Sequence, residues 1–343
     1  MTLLSTSDPR HTATAPGAAR TPTYDETLQV LSDGSVHRSF DPFLDIDWDA
    51  PENRLDPQDR RWILHPAIDP LGATAWYQAQ PEDRQIEIGR WRLANSVRVG
   101  AAFESVLIRG LMHYITKLPN NSPEYRYALH EMTEECNHMQ MFQELVNRMG
   151  DDVPGMRPMF RRLAPWTALA GGYFHIILVI GILGGEEPID HYQKSLLRSD
   201  VEMPPLVHRV MEIHIAEEAR HISFAGEFLR ERIPQLSKVS QKVCALAFPL
   251  AMRWLAGEIM TPPKEFARRF DSPDEVMREA FWRSEHSRAI LASYFDDMRT
   301  LATELGLMTP TARRLWRRLG IDGRRSRYRS EPDRTPALSG MWE

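Results

Sequence analysis

Cysteine is almost missing: the 343 residues hold two, Cys136 and Cys244. That excludes a disulfide framework and a thiolate zinc site, and places the chain in a reducing cytoplasm. No Gly-x-Gly-x-x-Gly motif follows a strand and no set of iron-sulfur cysteines occurs, so the chain carries no electron source of its own. An excess of basic charge is missing too. With 42 Lys and Arg against 47 Asp and Glu the net charge is -5, which argues against a nucleic-acid binder. The local exception is the C-terminal tail, where Arg313, Arg314, Arg317, Arg318, Arg324, Arg325, Arg327 and Arg329 cluster as in a solvated extension. A secretory leader is not evident, because residues 1–24 are rich in Thr, Ala, Ser and Pro without an apolar centre and read as disordered. One long apolar run exists, residues 164–185, with His175 as the only group expected to carry a charge near neutral pH. It is Gly-rich, has no companion span and ends directly in Glu186, Glu187 and Asp190, so it reads as a helix buried in a bundle, with no membrane partner.

What is present is a composition of ordinary soluble type, 42% hydrophobic and 26% charged. Apolar residues recur at three- and four-residue steps from about Pro81 to Lys117, predicting one long helix with Glu104 at its middle. Ser122-Pro123 restarts a helix that runs to about Gly150. A third, apolar helix ends near Arg198, and a fourth spans about Pro204 to Arg232. Further helices are expected from Leu236 to Met260, from Ser272 to Gly306 behind a capping box Ser272-Pro273-Asp274-Glu275, and briefly from Thr309. Residues 25–80, with many Pro, Asp and Trp, read as irregular chain laid over the bundle. The expected architecture is all-α: a four-helix bundle within residues 81–306, extra C-terminal helices, and an Arg-rich tail over 307–343.

One chemical signal appears twice. Glu104 is followed after 31 residues by Glu135-Cys136-Asn137-His138, and Glu186 after 32 residues by Glu218-Ala219-Arg220-His221. A Glu and a His three apart project from one helix face and can offer an oxygen and a nitrogen to one point. Two such pairs, with one Glu from each of two other helices, make a ligand set for two metals in a four-helix bundle. His214, four residues before Glu218, joins the same stripe. A single Glu-x-x-His is weak evidence, since most copies are exposed ion pairs. Here the neighbours are apolar: Met132, Met139 and Phe142 around Glu135, Phe224 and Phe228 beyond His221. A charge left unpaired on such faces would be very costly. A carboxylate-rich set of about seven ligands suits iron, or manganese, rather than zinc. For the third glutamate, Glu186 shares a face with Val179, Ile182 and Ile189, which favours it pointing inward and Glu187 outward. Pro188 can rotate the register there, so Glu187 stays open as the alternative. Cys136 has no second thiol near it and reads as a packing residue.

The constellation Glu104, Glu135-x-x-His138, Glu186 and His214-x-x-x-Glu218-x-x-His221 resembles the non-haem diiron oxygenases typified by the p-aminobenzoate N-oxygenase family of antibiotic biosynthesis. The likeness covers about residues 85–232. It implies a ferritin-like fold in which a third histidine, here His214, is added to the usual ligands. Glu186-x-x-Ile189-Asp190 is similar to the family's pattern and supports Glu186, and the acids before each motif glutamate, Glu134 and Glu217, match positions that could orient the histidines. In one respect the chain departs from the family, whose p-aminobenzoate enzyme holds the substrate carboxylate with an Arg before the first ligand. Here Arg98 is one place out of register, so a benzoate substrate is not implied.

The resemblance implies O2 activation at two iron ions and transfer of oxygen to a small organic substrate, with amine N-oxygenation leading and hydroxylation or desaturation of a natural-product scaffold behind it. An external ferredoxin or flavin reductase would then deliver electrons. A ferritin-like iron store or O2 carrier is the alternative of a different class. A homodimer stays open.

Overall fold

The computed structural model describes Arg20 and residues 22–332, and these contain helices and connections without a strand. In chain order the helices are α1 (Tyr24–His37), α2 (Ala75–Gln78), α3 (Glu82–Ile115), α4 (Pro123–Met149), α5 (Pro158–Tyr173), α6 (His175–Arg198), α7 (Pro205–Arg232), α8 (Lys238–Met260), α9 (Lys264–Phe270), α10 (Asp274–Ala280), α11 (Glu285–Ser293), α12 (Asp296–Glu304) and α13 (Pro310–Arg318).

The ends of α4 show why these segments are helical where they are. Ser122 caps the helix by accepting from the amide of Tyr125, Pro123 sits in the first turn, and Gly150 stops it in the left-handed region at φ 73°. The helices α3, α4, α6 and α7 close a ring: α3 packs on α4 and α6, and α7 packs on α6 and α4. Around it, α5 lies on α3 and α6, α8 lies on α6, α13 lies on α8, and α1 crosses α4 and α7. The α8–α9 stretch, Lys238–Phe270, is among the described residues the one helical stretch long and apolar enough to cross a membrane, and 61% of its apolar window is buried against the bundle.

Four expectations change. Residues 25–80 are not irregular throughout, because Thr23 and Glu26 form a capping box that opens α1. The apolar third helix is two, α5 and α6, broken at Phe174, whose φ of -109° and ψ of 61° leave the helical region. Both sides of the break are apolar, so periodicity does not mark it. The helix expected over 272–306 is α10, α11 and α12, with Trp282 at φ 75° between the first two. Its expected capping box does not form: Pro273 holds the cap position and the Ser272 hydroxyl is buried without a partner. Finally, the Arg-rich region is not a free extension as far as residue 332. Thr309 caps α13, Trp316 is buried against Phe248 at 6.2 Å, Arg324 pairs with Asp296 at 2.6 Å and Arg327 with Glu331 at 2.9 Å. Most of the leader read over 1–24, and the tail beyond 332, lie outside the described residues.

Candidate metal centre

Each predicted side chain comes from a different place on the ring and points to its middle. Glu104 leaves the centre of α3, Glu135 and His138 leave α4, Glu186 leaves α6, and His214, Glu218 and His221 leave α7. Glu135, His138, Glu218 and His221 are fully buried, and Glu104, Glu186 and His214 nearly so. Donor atoms from Glu104, His138, His214 and Glu218 lie within 4.8 Å of one another, and so do donors from Glu135, His138, Glu218 and His221. The two quartets share His138 and Glu218. Glu218, with two carboxylate oxygens, could serve a cation in either quartet, whereas the one inward nitrogen of His138 could serve only one; two adjacent cation positions would suit a dinuclear site.

Among the inner atoms, His138 Nδ1 meets Glu135 Oε2 at 3.1 Å, while the others approach without bonding. His221 Nδ1 is 2.8 Å from Glu135 Oε1, yet neither is satisfied by a hydrogen bond. His214 Nε2 lies 3.3 Å from Glu218 Oε1 and 3.7 Å from Glu104 Oε1 and is likewise unpartnered, as are both oxygens of Glu186 and of Glu218. Buried polar atoms are normally paired, so a group of them converging on one space fits a cation they would share.

The outer nitrogens, by contrast, are all engaged. His221 Nε2 meets Glu134 Oε2 at 2.8 Å, and His138 Nε2 meets Glu217 Oε2 at 2.9 Å. The bracing is crossed: the acid of α4 holds the histidine of α7, and the acid of α7 holds the histidine of α4. Glu134 is itself held by Arg220 at 2.8 Å, and Glu217 accepts the amide of Phe40 at 3.1 Å. His214 Nδ1 is held by Gln193 at 2.8 Å. Such outer hydrogen bonds set ring orientation and leave the inward nitrogen free to ligate.

The electrostatics follow from packing several acids together out of water. Burial, and then the charges of Glu135 and Glu218, push the Glu104 carboxyl well above its usual range. Burial and the charges of Glu218, Glu135 and Glu131 do the same to Glu186. Burial also opposes ionisation of Glu135, but His221 and His138 outweigh it and hold that carboxyl well below its usual range. His138 would be lowered by burial, yet its bonds to Glu135 and Glu217 push it up to about 10. His214, with weaker compensation, is pushed down to about 4 by burial. The acids demand positive charge, and a cation would satisfy several at once.

The two candidate glutamates of α6 part company. Glu186 lines the cavity beside Glu104, His214 and Glu218. Glu187 is buried rather than outward, but it lines a separate cavity together with Asp190 and Lys194. There, burial and the charges of Asp297 and Asp190 push it up to about 8. Cys136 faces solvent, so its expected packing role is withdrawn.

Two participants were not expected. Glu131 is fully buried with neither oxygen partnered, and burial together with the charges of Glu135 and Glu218 raises its carboxyl well above the usual range, against the lowering effect of His221. It precedes Glu135 by four residues, as His214 precedes Glu218, so the stripe argument could have found it. Gln193 could not be found that way, because it reaches His214 from another helix.

Fold and site together define a helical protein with a buried carboxylate-histidine centre able to hold metal. The family model described as P-aminobenzoate N-oxygenase AurF matches residues 21–306, and the chain belongs to that family, one of oxygenases. It is also 55% identical over 311 residues to the Uncharacterized protein MT0908 of Mycobacterium tuberculosis (strain CDC 1551 / Oshkosh), covering 91% of each chain. The Uncharacterized protein Mb0909 of Mycobacterium bovis (strain ATCC BAA-935 / AF2122/97) matches at 55% identity with the same coverage.

Proposed function

We propose that the chain is a non-haem diiron oxygenase that activates O2 to oxygenate the nitrogen of an amine, with Glu104, Glu135, His138, Glu186, His214, Glu218 and His221 as its metal ligands. The observation that carries this reading is that Glu135, Glu186, His214, Glu218 and His221 each keep a buried inner atom unpartnered while all three histidines are braced on their outer side. Two iron ions held there would supply the redox chemistry of O2 activation. The chain's own part is to hold both ions at fixed separation, to brace the imidazoles through Glu134, Glu217 and Gln193, and to keep bulk water out. Electrons would come from a ferredoxin or a flavin reductase, since the sequence offers no cluster or dinucleotide motif.

Oxidation of a C–H bond is the second reading, and it is favoured by the apolar cavity that opens beside Glu104 and Glu186, where a hydrocarbon chain is at home. An iron store is less well supported, because α5 and α8 wall off such a cavity and storage has no use for one.

Elemental analysis of protein grown with iron tests the assignment. About two irons per chain are expected, the count of a dinuclear bundle site, with an oxidised-iron absorption that vanishes on reduction. Zinc in a single position, or no metal retained, would sink it.

A further inference from the structure

Beside the metal-binding cluster lies a cavity of about 310 Å³, walled by α3, α5, α6 and α8. Its α6 wall is a stripe at helical spacing, Ile177, Gly181, Gly185, Glu186 and Ile189 among it. From Ile177 to Ile189 that stripe runs about 18 Å at the rise of an α-helix. One end is the mouth, where Phe174, Ile177 and Trp254 are 68%, 41% and 38% exposed while also lining the cavity. The deep side meets Glu104, Glu186, His214 and Glu218.

The lining carries no Lys or Arg. Of the arginines that neighbour it in sequence, Arg157 pairs with Glu258, Arg253 stacks 3.6 Å over Trp282, and Arg109, Arg161 and Arg162 do not line it. Arg98 is exposed, lies under Gly155 and does not reach the cavity. The lining hydroxyl, on Thr167, donates to the carbonyl of Ala164. An anionic group brought inside would lose its hydration, find no counter-charge and face the carboxylates of the cluster, which is costly. An apolar body would find only hydrocarbon and aromatic walls.

We infer that this cavity takes an elongated, uncharged substrate with an apolar body, its amine entering first, and that it excludes a benzoate carboxylate; Gly181 sets how long a body fits. This rests on the proposed oxygenase reading for which end reacts, but not for what binds. Gly181 is the sensitive position because a Cβ added there meets no atom within 4 Å, so a side chain would project into open cavity midway along the stripe without a clash.

The test is a binding series that needs no turnover: aniline, 4-ethyl-, 4-butyl- and 4-hexylaniline, and 4-aminobenzoate, titrated calorimetrically into iron-loaded full-length protein and into the same protein stripped by chelator. Affinity should rise by about fourfold for each methylene buried. 4-Aminobenzoate should bind at least about tenfold more weakly than aniline itself, the price of an uncompensated charge. In Gly181→Leu the gain should stop short, with 4-hexylaniline losing at least about tenfold, aniline unchanged and iron content unchanged. Gly181→Ala, as a small control, should lose less. If 4-aminobenzoate binds as tightly as aniline, or if a folded Gly181→Leu protein shows the wild-type series, the inference fails. Should the series hold in protein that never retains two irons, the oxygenase reading fails and the cavity assignment stands.

Discussion

The two halves of the ring supply almost the same parts and differ at one position. The α3–α4 half contributes Glu104, Glu135 and His138, and the α6–α7 half contributes Glu186, Glu218 and His221, with a bracing acid before each motif glutamate. Four residues before the motif glutamate, α7 carries His214, held by Gln193 and aimed at Glu104 and Glu218. At the matching position α4 carries Glu131, buried and held by nothing. One side of the centre therefore gains a neutral, oriented donor, while the other keeps an uncommitted acid in reserve beside His221. The two sides of the centre thus differ in the residue four before the motif glutamate, and two metal ions bound there would not be equivalent.

The sharpest way to break the comparison is to remove a shared ligand and an unshared one. Glu218 belongs to both quartets, so Glu218→Ala should lose essentially all bound iron, whereas Glu104 belongs to one, so Glu104→Ala should keep about one iron of the two a bundle site holds. Plasma mass spectrometry on purified variants reads both, and equal losses would deny that the positions are distinct. Next come the crossed braces. Glu134→Gln and Glu217→Gln should each weaken metal affinity by about 10- to 100-fold, the usual cost of losing an outer carboxylate, as followed by competition with a chromophoric chelator. If only one of them matters, the bracing is not symmetric.

The odd position gives a smaller effect of opposite sign on its two sides. Glu131→Leu removes a buried acid without partners and should stabilise the metal-free protein by about 1–3 kcal/mol. His214→Leu strands the Gln193 amide and should instead destabilise it by a similar amount. Denaturant melts of chelator-treated protein decide, and stabilisation by both changes would mean that Gln193 finds another partner. Smallest of all, Cys136→Ser, inside the first motif but facing solvent, should stay within about 0.5 kcal/mol of wild type in the same melts.

Much of this was legible because α4 and α7 obey one rule: donors three and four residues apart on an apolar stripe must converge on something. Ser122-Pro123 and Gly150 likewise announce the ends of α4. What escaped did so for identifiable reasons. The break at Phe174 joins two apolar helices, so hydrophobic periodicity runs across it. The capping box at Thr23 was present in the sequence but adjoined a low-complexity leader, while the one at Ser272 has the right letters and does not form. Glu187 was expected outward because its face is polar, yet that face packs against Asp297 and is buried. Gln193 and the cavity walls are set by contacts between helices, which spacing along one helix does not encode.

The backbone between Arg38 and Phe40 touches both arms of the crossed bracing. Arg220, which holds Glu134, also donates to the carbonyl of Arg38, and the amide of Phe40 donates to Glu217. Asn137, within the first motif, reaches the Phe40 carbonyl as well. Arg38 and Phe40 thus act as a keystone, one intermediary (Glu217) away from His138 and two (Arg220 and Glu134) away from His221. Anything that pries this segment loose, whether a docking protein or a shortened N-terminus, would slacken both histidines together and retune the centre from the outside.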